Sequence, residues 1–198
     1  FGIDNLNDYY DIKLKKKRLG ILKKSKNFKF FKIDLSNKIA LNRAFKKIKI
    51  DYVVNLAAQA GVRYSISNPD AYLKSNLIGF CNLLNLIKEK KIKHFLFAST
   101  SSVYGVDDSK AFKEDYPAVF PIQFYAATKR SNELIAHSYS YIYKIPSTAL
   151  RFFTVYGPWG RPDMALFKFT KNILNNKKIE VFNHGNHLRD FTYADDVV

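Results

Sequence analysis

The sequence predicts an α/β protein, a doubly wound and mostly parallel sheet followed by the start of a smaller lobe. Three observations carry this. Short β-branched or aromatic runs alternate with longer segments of helical period over most of the chain. Small and polar residues gather at 4, 34, 57–59, 99–102 and 154, just past those runs, where a parallel sheet collects its ligands. The alternation then breaks at the turn-rich Gly157-Pro158-Trp159-Gly160-Arg161-Pro162. Residues 1–155 are therefore expected to form the sheet domain and 156–198 the beginning of a second lobe.

Gly2-Ile3-Asp4 has the look of a strand tail, followed by the polar turn Asp4-Asn5-Leu6-Asn7-Asp8. Residues 11–24 predict a Lys-rich amphipathic helix, 28–35 a strand ending at Asp34-Leu35, and 38–48 a second helix. Asp51 to Ala58 is a strand opening into small residues, which let a ligand approach the backbone or simply pack tightly. A loop over 59–68 leads to Pro69, a favoured first-turn residue. Leu73, Leu77, Phe80, Leu84 and Ile87 then recur at helical spacing, with Asn76 either at the surface or buried and hydrogen-bonded. Lys93 to Ala98 is the next strand, delivering Thr100, Ser101 and Ser102. A loop over 107–124 precedes a helix over 125–143, and Ser147 to Phe153 is a strand delivering Thr154. Beyond the break, a helix over 164–175 and strands over 179–182 and 189–193 are expected. Strands alternating with helices in this way imply helices on both faces of the sheet.

The chemistry centres on Tyr125-Ala126-Ala127-Thr128-Lys129. Helix positions four apart share a face, so Tyr125 and Lys129 project together. A phenol, with a pKa ordinarily about 10, works as a general base only if that value is drawn towards neutrality, which a nearby ammonium does. This spacing is common on solvated helices. The hydroxyl-rich Ser99-Thr100-Ser101-Ser102 and the later run from Arg151 to Ala165 give it weight.

Composition narrows the class. The 198 residues carry a formal net charge of +16 and 47% apolar residues. No apolar run approaches the ~18–20 residues that cross a bilayer, and the opening residues do not read as a signal peptide. A lone cysteine, Cys81, forms no internal disulfide and fits a reducing cytoplasm. The lysines are spread over helix faces and ends, with no zinc-finger spacing or basic-aromatic motif, so nucleic acid is not the expected partner.

With these residues in place, the chain resembles the extended short-chain dehydrogenase/reductase proteins, in particular nucleotide-sugar epimerases acting on UDP-glucuronate. The carriers are Asn55-Leu56-Ala57-Ala58-Gln59-Ala60-Gly61-Val62-Arg63-Tyr64-Ser65, Thr100-Ser101-Ser102-Val103-Tyr104-Gly105, Tyr125 with Lys129, the run from Arg151 to Ala165, and Arg189-Asp190-Phe191-Thr192-Tyr193. The resemblance implies a Rossmann-like domain that binds NAD. It implies Tyr125 as base at the sugar C4 hydroxyl, Lys129 on the nicotinamide ribose, and Thr100 sharing the hydroxyl proton. Asp4 and Asn5 would hold the adenosine ribose, and Asp34 and Leu35 would border adenine. Leu56, Ala57, Ala58, Gln59 and Asn76 would line the cofactor, and Phe152, Phe153 and Val155 would lie by the nicotinamide. Arg63, Thr100, Ser101, Ser102, Thr154, Arg161, Phe182 and Arg189 would contact a UDP-sugar. No metal is implied.

Related dehydratases carry an Asp-Glu pair after the strand-end threonine. Ser101 and Ser102 stand there instead, which favours epimerisation over elimination. The family opens with a strand and a glycine-rich turn that binds pyrophosphate; neither is found here, so an internal fragment with poor NAD affinity is expected. Homodimerisation through the two long helices is the family's habit. Alternatives are a UDP-glucose/galactose 4-epimerase or another sugar-nucleotide reductase or dehydratase. Outside enzymes, a basic nucleic-acid binder or an inactive regulatory protein on this scaffold is the competing reading.

Overall fold

The computed structural model describes residues 1–106 and 111–198, so part of the loop expected over 107–124 lies outside the described residues. Contacts divide the chain into two compact units, one of residues 1–5 and 27–152, the other of 6–26 and 153–198.

In the first unit, β1 (Gly2–Asp4) runs parallel to β2 (Phe30–Lys32), with Ile3 beside Phe31. A second parallel group joins β3 (Tyr52–Asn55), β4 (His94–Ala98) and β5 (Ser147–Leu150), with Asn55 beside Phe97 and Ala98 beside Leu150. Mixed α/β architecture with parallel strands is thus what the sequence led us to expect. The sheet is nevertheless divided. Between β1 and β3 lies a cleft of about 410 Å³, walled by Ile3, Val53 and Val54 and floored by Phe45, Leu83 and Leu86.

One face of the strands is well covered. Helix α2 (Lys38–Phe45) is capped by Asn37, whose side chain accepts from Ala40 N. It buries Leu41 and Phe45 against Phe31 and Leu86. Pro69 starts α4 (Pro69–Tyr72), with the Asn68 side chain accepting from Ala71 N. The chain continues through a π-turn, Leu73–Ile78, into α5 (Gly79–Ile87). Phe80, Leu84 and Ile87 pack with Phe95 and Phe97 of β4 and Ala136 of α6 (Phe124–Tyr143). The opposite side of β3 is different: Tyr52, Val54 and Leu56 are exposed. Within this unit, the helices that pack on β4 lie on the side of Phe95 and Phe97. Helix α1 (Ile12–Leu22) belongs to the second unit and buries no residue, because its apolar positions do not form one stripe among the lysines. It is not the amphipathic helix expected.

The second unit pairs β6 (Thr154–Tyr156) with β7 (Phe191–Tyr193) in parallel and contains α7 (Ala165–Leu174). Arg18 of α1 donates to Trp159 O and Gly160 O, which ties the turn-rich segment to that helix. The strand expected over 179–182 is absent. Phe182–Gly185 is a 3-10 turn in which Asn183 and His184 have φ of 47° and 50°, outside the range a strand accepts. The strand expected over 147–153 ends at Leu150, and Thr154 begins a separate one. A four-residue helix, α3 (Tyr64–Ser67), interrupts the loop expected over 59–68. Among the described residues no helix is long and apolar enough to cross a membrane.

Candidate active site

Strand β4 runs out at Ala98 and delivers Ser99 and Thr100, both buried. Thr100 is extended and caps the 3-10 turn Ser101–Tyr104, its hydroxyl accepting from Ser102 N over 3.2 Å and lying 3.3 Å from Ser102 Oγ. Ser101 N donates to Phe152 O at 2.8 Å, so the segment is stitched to the chain leaving β5. Gly105 then turns the chain with φ of 80°.

Helix α6 packs on this turn and begins at Phe124. The Tyr125 amide donates to Ser65 Oγ at 3.2 Å, and Ser65 Oγ donates to Val62 O at 2.6 Å, fixing the first turn of α6 to the loop after β3. The buried Tyr72 ring meets the Tyr125 ring edge-on at 6.0 Å, while its hydroxyl donates to Ala60 O at 2.9 Å and also reaches Gly61 O. One turn beyond Tyr125, Lys129 is 3% exposed. Burial draws its amine down to about 8. Among the described residues no carboxylate lies within ion-pair distance of it.

Asn76 is buried, which decides between the two roles open to it. Its side chain accepts from Gln59 N at 2.8 Å and donates to Gln59 O at 3.1 Å and to Thr128 Oγ1 at 3.0 Å. The π-turn leaves its own carbonyl to accept from Asn132 Nδ2 at 2.7 Å. Gln59 is thereby held at the strand's carboxyl end, next to half-buried Ala58 and exposed Leu56 and Ala57.

At the end of β1, Asp4 is exposed and its carbonyl accepts from Ile33 N. Asn5 Nδ2 donates to Asp34 Oδ2 at 3.2 Å, which joins the end of β1 to the turn after β2. Burial would raise the Asp34 carboxyl, but bonds from Ser36 and Asn5 and the charge of Lys74 hold it below the ordinary range. Leu35 is half-buried beside it, and Arg63 is exposed at the start of α3.

The remaining sequence-derived candidates are more scattered. Phe152 closes the first unit and is half-buried, as are Phe153, Thr154 and Val155 of the second. Arg161 is engaged by Asp163, with Nε 3.0 Å from Oδ1 and a second bond from Nη2 to Oδ2. Burial raises the Asp163 carboxyl, yet the Arg161 guanidinium carries it below its ordinary value, helped by Tyr9 OH at 3.2 Å. Phe182 sits exposed in its 3-10 turn, and exposed Arg189 donates to the adjacent Leu188 O. Sequence reasoning did not single out Glu133. The signal was available: it follows Lys129 by four residues and so lies on the same stripe as Tyr125.

A profile described as the NAD dependent epimerase/dehydratase family matches residues 2–198. The chain belongs to the NAD dependent epimerase/dehydratase family. Within this epimerase/dehydratase family, Protein CapI of Staphylococcus aureus is 55% identical over 197 residues, covering 100% of this chain and 59% of the relative. A probable UDP-glucuronate 4-epimerase of Rhizobium meliloti is 50% identical over 197 residues, covering 100% and 58%. The crystal structure of UDP-glucuronic acid 4-epimerase from Bacillus cereus, in complex with UDP-glucuronic acid and NAD, superposes with a TM-score of 0.91 at 38% identity. The match covers 99% of this chain and 61% of that one. The chain thus spans about three-fifths of the length of the relatives it matches.

Proposed function

We propose that the full-length protein is an NAD-dependent 4-epimerase of UDP-hexuronates, interconverting UDP-glucuronate and UDP-galacturonate by transient oxidation at sugar C4. The observation that carries this reading is Lys129, a buried amine one turn after Tyr125 with no carboxylate partner among the described residues. With a pKa near 8 it keeps its proton at neutral pH. Neutral ribose hydroxyls fit such a group, since they satisfy its donors without cancelling its charge. Asp4 and Asn5 suit the hydroxyls of an adenosine ribose, Asp34 and Leu35 the border of adenine, and Leu56, Ala57, Ala58, Gln59, Asn76 and Phe152 the rest of a dinucleotide. Bound NAD supplies a reversible hydride acceptor for the C4 carbon.

The chain's own groups handle the proton. The Tyr125 oxygen takes it from the C4 hydroxyl as the carbon is oxidised and returns it on reduction. The Lys129 ammonium stabilises the phenolate. Thr100 shares the hydroxyl proton and orients the sugar. Ser101 and Ser102 donate their hydroxyls to a C6 carboxylate and provide no acid for elimination. In the second unit, Thr154, Val155, Arg161, Phe182 and Arg189 are proposed as sugar-nucleotide and cofactor residues, with Arg63 added from the first. Pairing into a homodimer through α4–α5 and α6 is proposed from their exposed Leu73, Ile78 and Leu134. A cytoplasmic setting completes the reading.

The test is to incubate the purified full-length protein with UDP-glucuronate and NAD and follow UDP-galacturonate by chromatography, with UDP-glucose in parallel. Conversion of the acid, lost in Tyr125→Phe with the fold retained, supports the reading. Conversion of UDP-glucose alone, or an unimpaired variant, overturns it.

A further inference from the structure

Two turns beyond Tyr125 and one beyond Lys129 on α6 stands a buried carboxylate that the proton chemistry does not use. Glu133 Oε1 accepts from Ser99 Oγ at 2.6 Å and from Arg151 Nε at 2.9 Å. Its Oε2 accepts from Arg151 Nη2 at 2.9 Å and from Arg130 Nη1 at 2.6 Å. Burial raises its carboxyl, but bonds from Arg151, Ser99 and Arg130 carry it below the ordinary range, so it is ionised at neutral pH.

Two of these partners, Ser99 and Arg151, bear on the hydroxyl segment. Ser99 immediately precedes Thr100, and its amide donates to Leu150 O at 2.8 Å. Arg151 lies between Leu150 and Phe152, the two residues whose carbonyls hold the amides of Ser99 and Ser101. The Arg151 guanidinium also lies 4.8 Å over the Tyr104 ring and donates to Tyr116 O at 3.2 Å. A single carboxylate thus ties three things: the helix that carries Tyr125, the residue before Thr100, and the strand end against which Ser101 is registered.

We propose that Glu133 is a positioning residue which, through Ser99 and Arg151, sets the hydroxyls of Thr100 and Ser101 relative to the Tyr125 face of α6. The proposal rests on the epimerase reading for its kinetic consequence only. Catalysis at a single carbon depends on placement to within about an ångström. Loss of the tie therefore lowers turnover and leaves binding in place.

The experiment is Glu133→Gln in the full-length protein, assayed with UDP-glucuronate and NAD. The expected result is a fall in kcat of about tenfold or more, with KM and NAD affinity unchanged within about twofold. Arg151→Lys should give a similar fall, and the double variant no further one, because the two act as one unit. Ser99→Ala, which leaves the buried ion pair intact, should lower kcat in a protein that stays folded at the assay temperature; this keeps the test open should Glu133→Gln fold poorly. A lower melting temperature with kcat intact in Glu133→Gln, or additive effects in the double variant, would overturn the proposal. If the unaltered protein does not turn over UDP-glucuronate, the functional reading has failed and amide hydrogen exchange decides the positioning. Faster exchange at Ser101 and Ser102 in Glu133→Gln supports it; unchanged protection refutes it.

Discussion

The Asn76 side-chain amide donates to Thr128 Oγ1 over 3.0 Å, joining a π-turn to the residue that precedes Lys129. Thr128 Oγ1 in turn donates to Tyr125 O at 2.7 Å. With both Gln59 backbone groups on the same amide, Asn76 couples the end of β3 to the first turns of α6. Because Asn76 is 1% exposed, its loss leaves these groups without water. We expect Asn76→Ala to cost about 2–3 kcal/mol, read as a lowered urea midpoint.

Lys129 gives stability a pH dependence of defined sign. Folding lowers its pKa from 10.5 to about 8. Below pH 8 the charged amine is buried at full cost. Between about 8 and 10.5 the unfolded chain holds a proton that the folded one has released, so stability rises with pH. The rise should be on the order of 2 kcal/mol from pH 7.5 to 9.5. Urea denaturation at the two pH values, without added NAD, should show this slope in the wild type and its loss in Lys129→Met.

Glu133 acts on the acid side. Its folded pKa lies below the ordinary value of 4.5, so the stability it contributes is complete above that value and is lost as pH falls through the folded one. Acid unfolding followed by circular dichroism should be steeper in the wild type below pH 4.5 than in Glu133→Gln.

Gly105 adopts φ of 80°, and a Cβ there would stand 2.7 Å from Phe120 O. Gly105→Ala meets both the left-handed penalty and a backbone clash. The cost should be about 1–3 kcal/mol, measured by thermal melting.

Much of this arrangement could be read in the chain, for local reasons. Pro69 after Asn68 marks a helix start, and the stretch from Phe124 to Tyr143 has no glycine or proline to interrupt it. Small and hydroxyl residues marked the regions past the strands, though β2, β3 and β5 each end three residues before the expected bound. What escaped was set by partners distant in sequence. Glu133 and Arg151 look like ordinary surface charges until Ser99 is brought against them, and nothing local announces the π-turn at Leu73–Ile78. Residues 179–182 have the apolar pattern of a strand, but exposed Val181 and Phe182 have no neighbouring strand to pair with among the described residues. Pattern alone does not supply one.

The divided sheet has a colloidal consequence. Among the described residues β3 pairs only with β4, so its other edge presents a row of main-chain donors and acceptors beside exposed Tyr52, Val54 and Leu56. Such rows template association between copies. A net charge of +16 opposes that approach by mutual repulsion. Added electrolyte screens the repulsion and leaves the backbone attraction intact, so the 198-residue chain on its own should turn cloudy as ionic strength increases.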